Sequence, residues 1–264
     1  REMAVMREHL RRSIEAYPGL VYLGRVAAYM TATLIYCFGA PQAVATDGAE
    51  NSRETFQDCA FCPEMISLPR EITGTKLNVA VYELTWAQYA QAVEAANCPL
   101  PTSLEDNSPI ALSDSVLDDF PMTSLPLVEI DCYLDWISGL SGHRYRLPSE
   151  GEWQAIAKAA RETTVQPRPE FEPGTSNDSR LPVRHLAIRR VGGVYHPAIG
   201  IFDLFGNASE VVNSERGDSD WAIVRGGDIF EGEKFDQVHG WRRFPTGWSS
   251  ATVGFRVVSE GAAR

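Results

Sequence analysis

Helix-start signals are rare in this chain, and this scarcity constrains its fold more than any other feature of the sequence. Thr85 and Gln88 form a capping box, in which a Thr or Ser and a Glu or Gln three residues later cap the first turn of a helix. Ser149 and Glu152 form a second capping box, and Trp153 and other apolar residues at helical spacing follow it. The sequence therefore predicts two capped helices and leaves most of the chain without a helical pattern.

Apolar residues at helical spacing predict the inward faces of these two helices and of a third helix. The third pattern ends at Gly142, a residue type that suits the left-handed end of a helix. The residues expected on the three faces are Trp86, Tyr89, Ala90 and Val93, then Tyr133, Trp136, Ile137 and Leu140, and finally Trp153, Ile156, Ala157 and Ala160.

Strand patterns are short, and turn residues separate them. Residues 77–84 alternate between apolar and polar types, and residues 221–225 and 253–258 are further strand-like runs. Residues 163–184 contain four prolines and a glycine and are predicted to form a loop. These patterns together predict an α+β fold that is low in regular secondary structure.

Size and charge narrow the classes of protein that fit. The chain has 264 residues, of which 44% are hydrophobic and 22% charged, which is typical of a folded domain and excludes wholesale disorder. Its formal net charge is -11. A nucleic-acid-binding protein needs a basic surface to neutralise phosphates, so nucleic acid is not an expected partner.

The first 45 residues have the pattern of a secretory signal peptide. Several arginines precede an uncharged apolar run at residues 26–40, and Ala43-Val44-Ala45 offers small residues at a signal-peptidase site. A membrane anchor is the alternative, but the apolar run is shorter than the roughly 20 residues that a spanning helix needs. We expect cleavage after residue 45, a linker at residues 46–55 and a periplasmic or secreted domain from residue 56 to 264, which meets the membrane only through the signal peptide.

Four cysteines remain after the predicted cleavage site: Cys59, Cys62, Cys98 and Cys132. An even number of cysteines in an exported domain indicates disulfides. Proximity favours pairing Cys59 with Cys62, which leaves Cys98 for Cys132. The Cys-x-x-Cys spacing of the first pair is also that of redox motifs, although a structural disulfide is favoured because no βαβ pattern surrounds it.

An ordered series of landmarks resembles the formylglycine-generating enzyme, or sulfatase-modifying factor, family. The landmarks are residues 56–65 (FQDCAFCPEM), 82–86 (YELTW), 136–153 (WISGLSGHRYRLPSEGEW), 200–210 (GIFDLFGNASE), 225–227 (RGG) and 254–256 (GFR). Each landmark alone is weak evidence for the family, but together they follow in order along nearly the whole predicted domain. The resemblance implies a compact fold similar to C-type lectin domains, with little regular structure.

The resemblance does not extend to the family's catalytic cysteines. Formylglycine synthesis in this family uses two cysteines near the C-terminus that bind copper(I), a metal that requires soft thiolate ligands. This sequence has no cysteine after Cys132. We therefore do not expect thiol-copper formylglycine synthesis.

Polar and aromatic residues stand where the family keeps its cleft. The candidate cleft residues are Glu231, Asp236, His239, Trp241 and Arg242. Carboxylate and imidazole groups can act as acid and base or hold a hard or borderline metal, such as iron(II), manganese, zinc or calcium. A solvated acidic loop is the alternative interpretation, and the sequence identifies no catalytic residue or catalytic metal.

The resemblance also implies a structural calcium ion. In the family, the segment that corresponds to residues 203–210 binds calcium through a side chain at Asp203, backbone carbonyls at Gly206 and Ala208, and the carboxylate of Glu210. Oxygen donors of these types suit calcium. The alternative is a tight turn in which Asp203 and Glu210 only accept hydrogen bonds.

Two classes of function fit these features. The first is a periplasmic tailoring enzyme similar to the exported branch of the family that acts in siderophore (pyoverdine) maturation, which also lacks the thiol pair. The second is a non-catalytic module that presents a lectin-like cleft to a small-molecule, peptide or protein ligand.

Overall fold

The computed structural model describes residues 54–101, 117–162, 166–167, 188–214, 220–229 and 238–260. All of them belong to one compact unit, Glu50–Arg264. The predicted signal peptide lies outside the described residues. Within those ranges, no helix combines the length and the apolar character needed to cross a membrane.

The described residues form short helices and strands with irregular segments between them. The helices are α1 Arg70–Thr73, α2 Trp86–Ala96, α3 Leu127–Ser141 and α4 Glu150–Ala160. The strands are β1 Thr55–Phe56, β2 Met65–Leu68, β3 Leu77–Ala80, β4 Tyr145–Arg146, β5 Gln166–Pro167, β6 Val194–His196, β7 Ile201–Phe202, β8 Ser209–Val212, β9 Trp221–Arg225, β10 Arg242–Pro245, β11 Val253–Phe255 and β12 Val258–Glu260. The prediction of an α+β fold with little regular structure is confirmed.

The strands form three sheets, and the end of the chain contributes to two of them. The five-stranded sheet has the order β1-β2-β3-β12-β4, the four-stranded sheet β10-β9-β8-β11 and the three-stranded sheet β5-β6-β7. In the first sheet, Val258 of β12 lies opposite Val79 on one side and Arg146 on the other. In the second, β11 runs parallel to β8 with Phe255 opposite Val211.

Both predicted capping boxes are present. The Thr85 hydroxyl accepts from the Gln88 backbone and the Gln88 side chain accepts from the Thr85 backbone; Ser149 and Glu152 repeat the arrangement at α4. The inward face of α4 is as predicted. In α2, Trp86 and Tyr89 are buried and Val93 is half-buried against the core, as predicted, whereas Ala92 is buried and Ala90 is only half-buried.

Helix α3 starts earlier than its sequence pattern indicates and ends where predicted. Gly142 takes the left-handed conformation that ends it, with φ of 73°. Leu140, expected on the inward face, is 47% exposed. Tyr133 and Ile137 are buried as predicted, and Ile130 and Leu134 complete the buried face.

The predicted strands differ in length rather than in place. The run at residues 77–84 shortens to β3, whose four residues are all buried because a core covers each face of the strand, with Leu77 and Val79 in one core and Ala80 in the other. The run at residues 253–258 divides into β11 and β12, which belong to different sheets. Strand β9 has the predicted bounds.

The four-stranded sheet lies between two apolar cores. Val211 and Val224 are opposite each other and belong to the core that also contains residues of α2 and α3. Val212 and Ile223 form the next pair and pack with Trp153 of α4 in the other core. Successive side chains of a strand point to opposite faces, so β8 and β9 each contribute to both cores.

Gly226 shows why one landmark requires glycine. Its φ is 87°, and a Cβ atom there would lie 2.8 Å from the Leu204 carbonyl oxygen and 3.2 Å from Trp153. Its own carbonyl accepts from the Gly206 backbone at 3.1 Å. Only glycine combines this backbone conformation with such a close approach, so the RGG segment can pack against the loop at residues 200–210.

The structure contains the two disulfides with the pairing that the sequence favours. Cys59 and Cys62 are joined within the loop between β1 and β2. Cys98, which follows α2, is joined to Cys132 of α3, and their Cα atoms are 5.8 Å apart. The second bridge ties two helices across 34 residues of sequence.

Candidate ligand-binding site

Arg256 and Glu210 form a buried ion pair where three of the sequence landmarks meet. Arg256 Nε donates to Glu210 Oε1 at 2.8 Å, and Arg256 Nη2 lies 2.7 Å from the same oxygen. The indole N–H of Trp153 donates to Glu210 Oε2 at 2.7 Å. Arg256 also donates to the carbonyls of Ala80 and Phe202. These contacts link both cores through the landmark residues.

Asp203 organises the loop beside this ion pair. Its Oδ2 accepts from the backbone N–H groups of Gly192 and Gly193, and its Oδ1 accepts from Val194 at 2.8 Å. Burial raises the pKa of Asp203, and the three backbone donors oppose that rise. The carboxylate therefore serves as an acceptor for an irregular backbone segment.

Glu83 is a third buried carboxylate, and sequence reasoning missed it. It accepts from the Asn207 side-chain amide at 2.8 Å and from the Ala208 backbone at 3.1 Å. Burial, reinforced by the neighbouring Asp203, raises the pKa of Glu83 well above its ordinary range. Its position inside the YELTW landmark is the only sequence signal for it.

The side chains at this loop do not fit the calcium site that the resemblance implies. Both oxygens of Asp203 and both oxygens of Glu210 already accept from protein donors. Gly206 and Ala208 lie in the same loop, and their N–H groups donate to Gly226 and Glu83. The described ranges contain no group of three or more His, Cys, Asp or Glu side chains placed to hold a metal. The calcium ion that the resemblance implies thus stays a prediction, and the described side chains do not form a fitting set of ligands for it.

His196 is buried in the same region. Among the described residues its two ring nitrogens have no hydrogen-bond partner, and its ring meets Phe205 edge to face at 5.2 Å. Burial, together with the nearby Arg256, lowers the pKa of His196 to about 4. The imidazole is therefore neutral at physiological pH.

The predicted cleft residues fall into two groups. Glu231 and Asp236 lie outside the described residues. The carbonyl of His239 accepts from Arg225 at 3.1 Å, and Trp241 is 41% exposed. Arg242 donates to Ser209 and to Asp228, each at 2.8 Å.

Asp228 is the residue that fixes Arg242, and the sequence did not single it out. Its carboxylate is fully buried and also accepts from the Thr252 hydroxyl at 2.6 Å. Arg242 is thus held against the sheet by a buried carboxylate. This arrangement favours a positioned structural cation over an acid-base pair.

A pocket of about 440 Å³ opens at the other end of the β9–β10 ladder. Arg242 lies opposite Val224, whereas the pocket residue Trp221 lies opposite Pro245, three pairs along the ladder and roughly 10 Å away. The described residues that line the pocket are Leu127, Asp131, Leu134, Arg146, Leu147, Val212, Asn213, Ser214, Trp221, Ala222 and Thr246. None of the three predicted cleft residues that the structure describes, His239, Trp241 and Arg242, is among them.

Asp131 is the acidic group of this pocket. Burial, together with the neighbouring Asp135, raises the pKa of Asp131. Arg146 lines the pocket as well, but two hydrogen bonds of 2.7 Å bind its guanidinium to Glu152. Acidic residues four apart on α3 were the one available sequence signal, and it is too common to indicate a site.

Trp221 forms an aromatic wall of the pocket. The guanidinium of Arg243 lies 4.5 Å from the centre of its ring. On the other face of the same hairpin, Phe244 and Trp248 stack at 4.7 Å. Aromatic side chains therefore flank both faces of the edge strand β10.

The sequence of this chain matches the model of one known protein family. The profile of the sulfatase-modifying factor enzyme 1-like domain, FGE-sulfatase, matches residues 68–261. The chain belongs to the FGE-sulfatase family. Membership confirms the resemblance inferred from the landmarks, and the matched segment holds the buried centre and every described residue of the pocket.

Solved structures show the same FGE-like fold. The chain is similar to PvdO from Pseudomonas aeruginosa, with 19% identity, a TM-score of 0.57, and coverage of 78% of this chain and 98% of that chain. It is similar to CarF, with 17% identity, a TM-score of 0.50, and coverage of 70% of this chain and 87% of that chain. It is also similar to Treponema denticola variable protein 1, with 12% identity, a TM-score of 0.50, and coverage of 78% of this chain and 98% of that chain. A search of curated proteins gave no match.

Proposed function

We propose that this FGE-sulfatase family protein binds an organic ligand in the pocket at Trp221 and does not perform thiol-copper chemistry. The observation that carries the proposal is the pocket itself, since its volume of about 440 Å³ is in the range of small-molecule sites. Of the two function classes that fit the sequence, we therefore favour the ligand-binding module over the tailoring enzyme.

The lining of the pocket has the composition of a ligand site. Leu134, Leu147 and Val212 provide apolar surface from a helix, a loop after a strand and a second strand. Asp131 and Asn213 add polar groups at exposed positions. An apolar pocket with a few polar groups can bury the body of a ligand while fixing its orientation.

The cysteines argue against formylglycine synthesis. Cys59, Cys62, Cys98 and Cys132 are all in disulfides, and the sequence has no later cysteine. A disulfide sulfur lacks the thiolate that binds copper(I). Purified protein incubated with copper, reductant, oxygen and a cysteine-containing sulfatase peptide should leave the peptide thiol unchanged by mass spectrometry. Conversion to the aldehyde would contradict this part of the proposal.

Ligand capture tests the pocket directly. The purified protein is exposed to a mixture of small molecules and short peptides, and retained compounds are identified by native mass spectrometry. Asn213→Trp would place an indole in the pocket while preserving the backbone hydrogen bonds that residue 213 makes with Pro148 and Glu150. Leu140→Trp adds the same side chain at an exposed position outside the pocket.

The expected result is retention by the wild type and by Leu140→Trp, and loss of retention in Asn213→Trp. Equal retention by Asn213→Trp would show that ligands bind elsewhere. No retention by the wild type would overturn the binding function.

A tailoring enzyme, of the kind that acts in siderophore maturation, is the second candidate. The observation that favours it is the raised pKa of Asp131 inside a pocket, since catalytic carboxylates are tuned in this way. A compound captured by the pocket would then change mass on incubation with oxygen and divalent metals. Asp131→Asn should abolish that change even at a concentration of the compound that saturates the variant.

We also infer that the domain works in the periplasm or outside the cell. Two disulfides suit an oxidising compartment, and the apolar run with its Ala-Val-Ala site suits export. N-terminal sequencing of protein from the exporting cell should begin near Thr46. A mature chain that retains Tyr29 would contradict cleavage.

A further inference from the structure

We propose that the pocket at Trp221 selects a small organic cation, with an ammonium or guanidinium group at Asp131 and its hydrocarbon body against Trp221. This proposal rests on the proposed binding function and adds the chemical class of the ligand.

Asp131 provides an unpaired negative charge. Within the part of the chain that the structure describes, its carboxylate has no hydrogen-bond or ion-pair partner, and it lies one helical turn from the carboxylate of Asp135. Partial burial and the like charge of Asp135 raise its pKa, and no cation among the described residues balances its charge. A bound cation supplies that counter-ion, whereas an anion would add a third negative charge.

The basic group of the pocket is already neutralised. Arg146 is the only Lys or Arg among the described lining residues, and both of its terminal nitrogens donate to Glu152 at 2.7 Å. Glu260 lies 3.8 Å from the same guanidinium. An anionic ligand would have to compete with these carboxylates, so Asp131 is the charged group of the described lining that has no counter-ion.

Trp221 adds a surface that suits a cation. Its indole already accepts one guanidinium, since Arg243 lies 4.5 Å from the ring centre. The negative face of an indole attracts cations, and the flat ring also packs against hydrocarbon. The apolar side chains of Leu134 and Leu147 complete a wall for the uncharged part of the ligand. Carboxylate, indole and aliphatic surface in one pocket match an amphipathic cation.

The test compares three probes of similar size that differ in charge: 2-phenylethylammonium, 2-phenylethanol and 3-phenylpropionate. Binding to the full folded protein is measured by calorimetry and by the change in tryptophan fluorescence, at low and at high salt. The expected order of affinity is cation, neutral compound, anion, with salt weakening the cation alone. Binding of the anion at least as tightly as the cation would overturn the cation proposal while leaving the binding function intact.

Two isosteric variants separate the pocket from the general negative charge of the protein. Asp131→Asn should weaken the cation about threefold to tenfold and leave the neutral probe unchanged. Asp135→Asn removes the same charge from the same helix outside the lining and should have a smaller effect. Equal effects of the two variants would show that no specific carboxylate contact exists. Failure of all three probes to bind would count against both the cation proposal and the binding function.

Discussion

Arg256 and Glu210 are each only 1% exposed, and the guanidinium of one contacts a single carboxylate oxygen of the other through two nitrogens. The pair joins the segment before β12 to β8, and the second carboxylate oxygen binds the indole of α4. Removing one partner from such a pair leaves an uncompensated charge in the interior, which costs far more than losing an exposed pair.

Glu210→Gln should therefore destabilise the domain by about 3–5 kcal/mol, measured by urea denaturation. Asp119→Asn is the matched control, because Asp119 contacts Arg190 at 2.6 Å but both side chains are largely exposed. The control should cost less than about 1 kcal/mol. Equal costs for the two variants would show that burial does not govern the Arg256 pair.

The two disulfides should contribute unequally to stability. Closing a loop reduces the entropy of the unfolded chain, and the reduction grows with the length of the loop. Replacing Cys98 and Cys132 with Ser should cost about 4 kcal/mol, and replacing Cys59 and Cys62 about 2 kcal/mol, since the sequence separations are 34 and 3. Thermal unfolding of the two double variants measures the difference, and a larger loss for the short bridge would contradict the loop-length argument.

His196 should make the domain sensitive to mild acid. Its pKa is about 4 in the folded protein, because burial disfavours the charged ring, and about 6.5 in the unfolded chain. The unfolded state therefore takes up the proton first as pH falls, so the stabilising contribution is complete above about pH 6.5 and is lost towards pH 4.

His196→Phe tests this dependence. Between pH 6.5 and 4.5 the wild type should lose about 2–3 kcal/mol more than the variant, measured by denaturation at each pH. Any packing cost of the larger ring applies equally at every pH and cancels from the comparison. Parallel pH profiles for the two proteins would contradict a buried neutral imidazole.

Calcium should not stabilise the isolated domain through Asp203 and Glu210. Their oxygens accept from backbone N–H groups, an indole and a guanidinium, and calcium would have to compete with these donors. Adding calcium or a chelator should leave the melting temperature unchanged. A rise with calcium in the wild type that disappears in Asp203→Asn would establish the calcium site after all.

Most features that were predicted correctly from the sequence depend on residues close together in the chain. The capping boxes at Thr85 and Ser149 depend on residues three apart, and they appear in the structure as expected. The bounds of β9 and the pairing of the cysteines also follow from nearby residues or simple counting. The split of residues 253–258 between two sheets depends on partners far away in sequence, which no local pattern contains.

The candidate pocket shows the same limit more strongly. Asp131, Arg146 and Trp221 come from a helix and two strands of different sheets, so only the tertiary fold brings them to one pocket. Asp228 escaped notice for a related reason, since its role depends on burial beside Arg242. The landmark series identified the family correctly because it records the fold as a whole rather than any one contact.

The position of the last two strands has a consequence for biosynthesis. Strand β12 fills the gap between β3 and β4, and β11 closes the other sheet beside β8. A nascent chain grows from its N-terminus, so both gaps stay open until residue 260 has left the ribosome. A prematurely terminated chain that stops at residue 250 would present three strand edges without their partners, on β3, β4 and β8, which makes it a substrate for proteolysis rather than a smaller working domain.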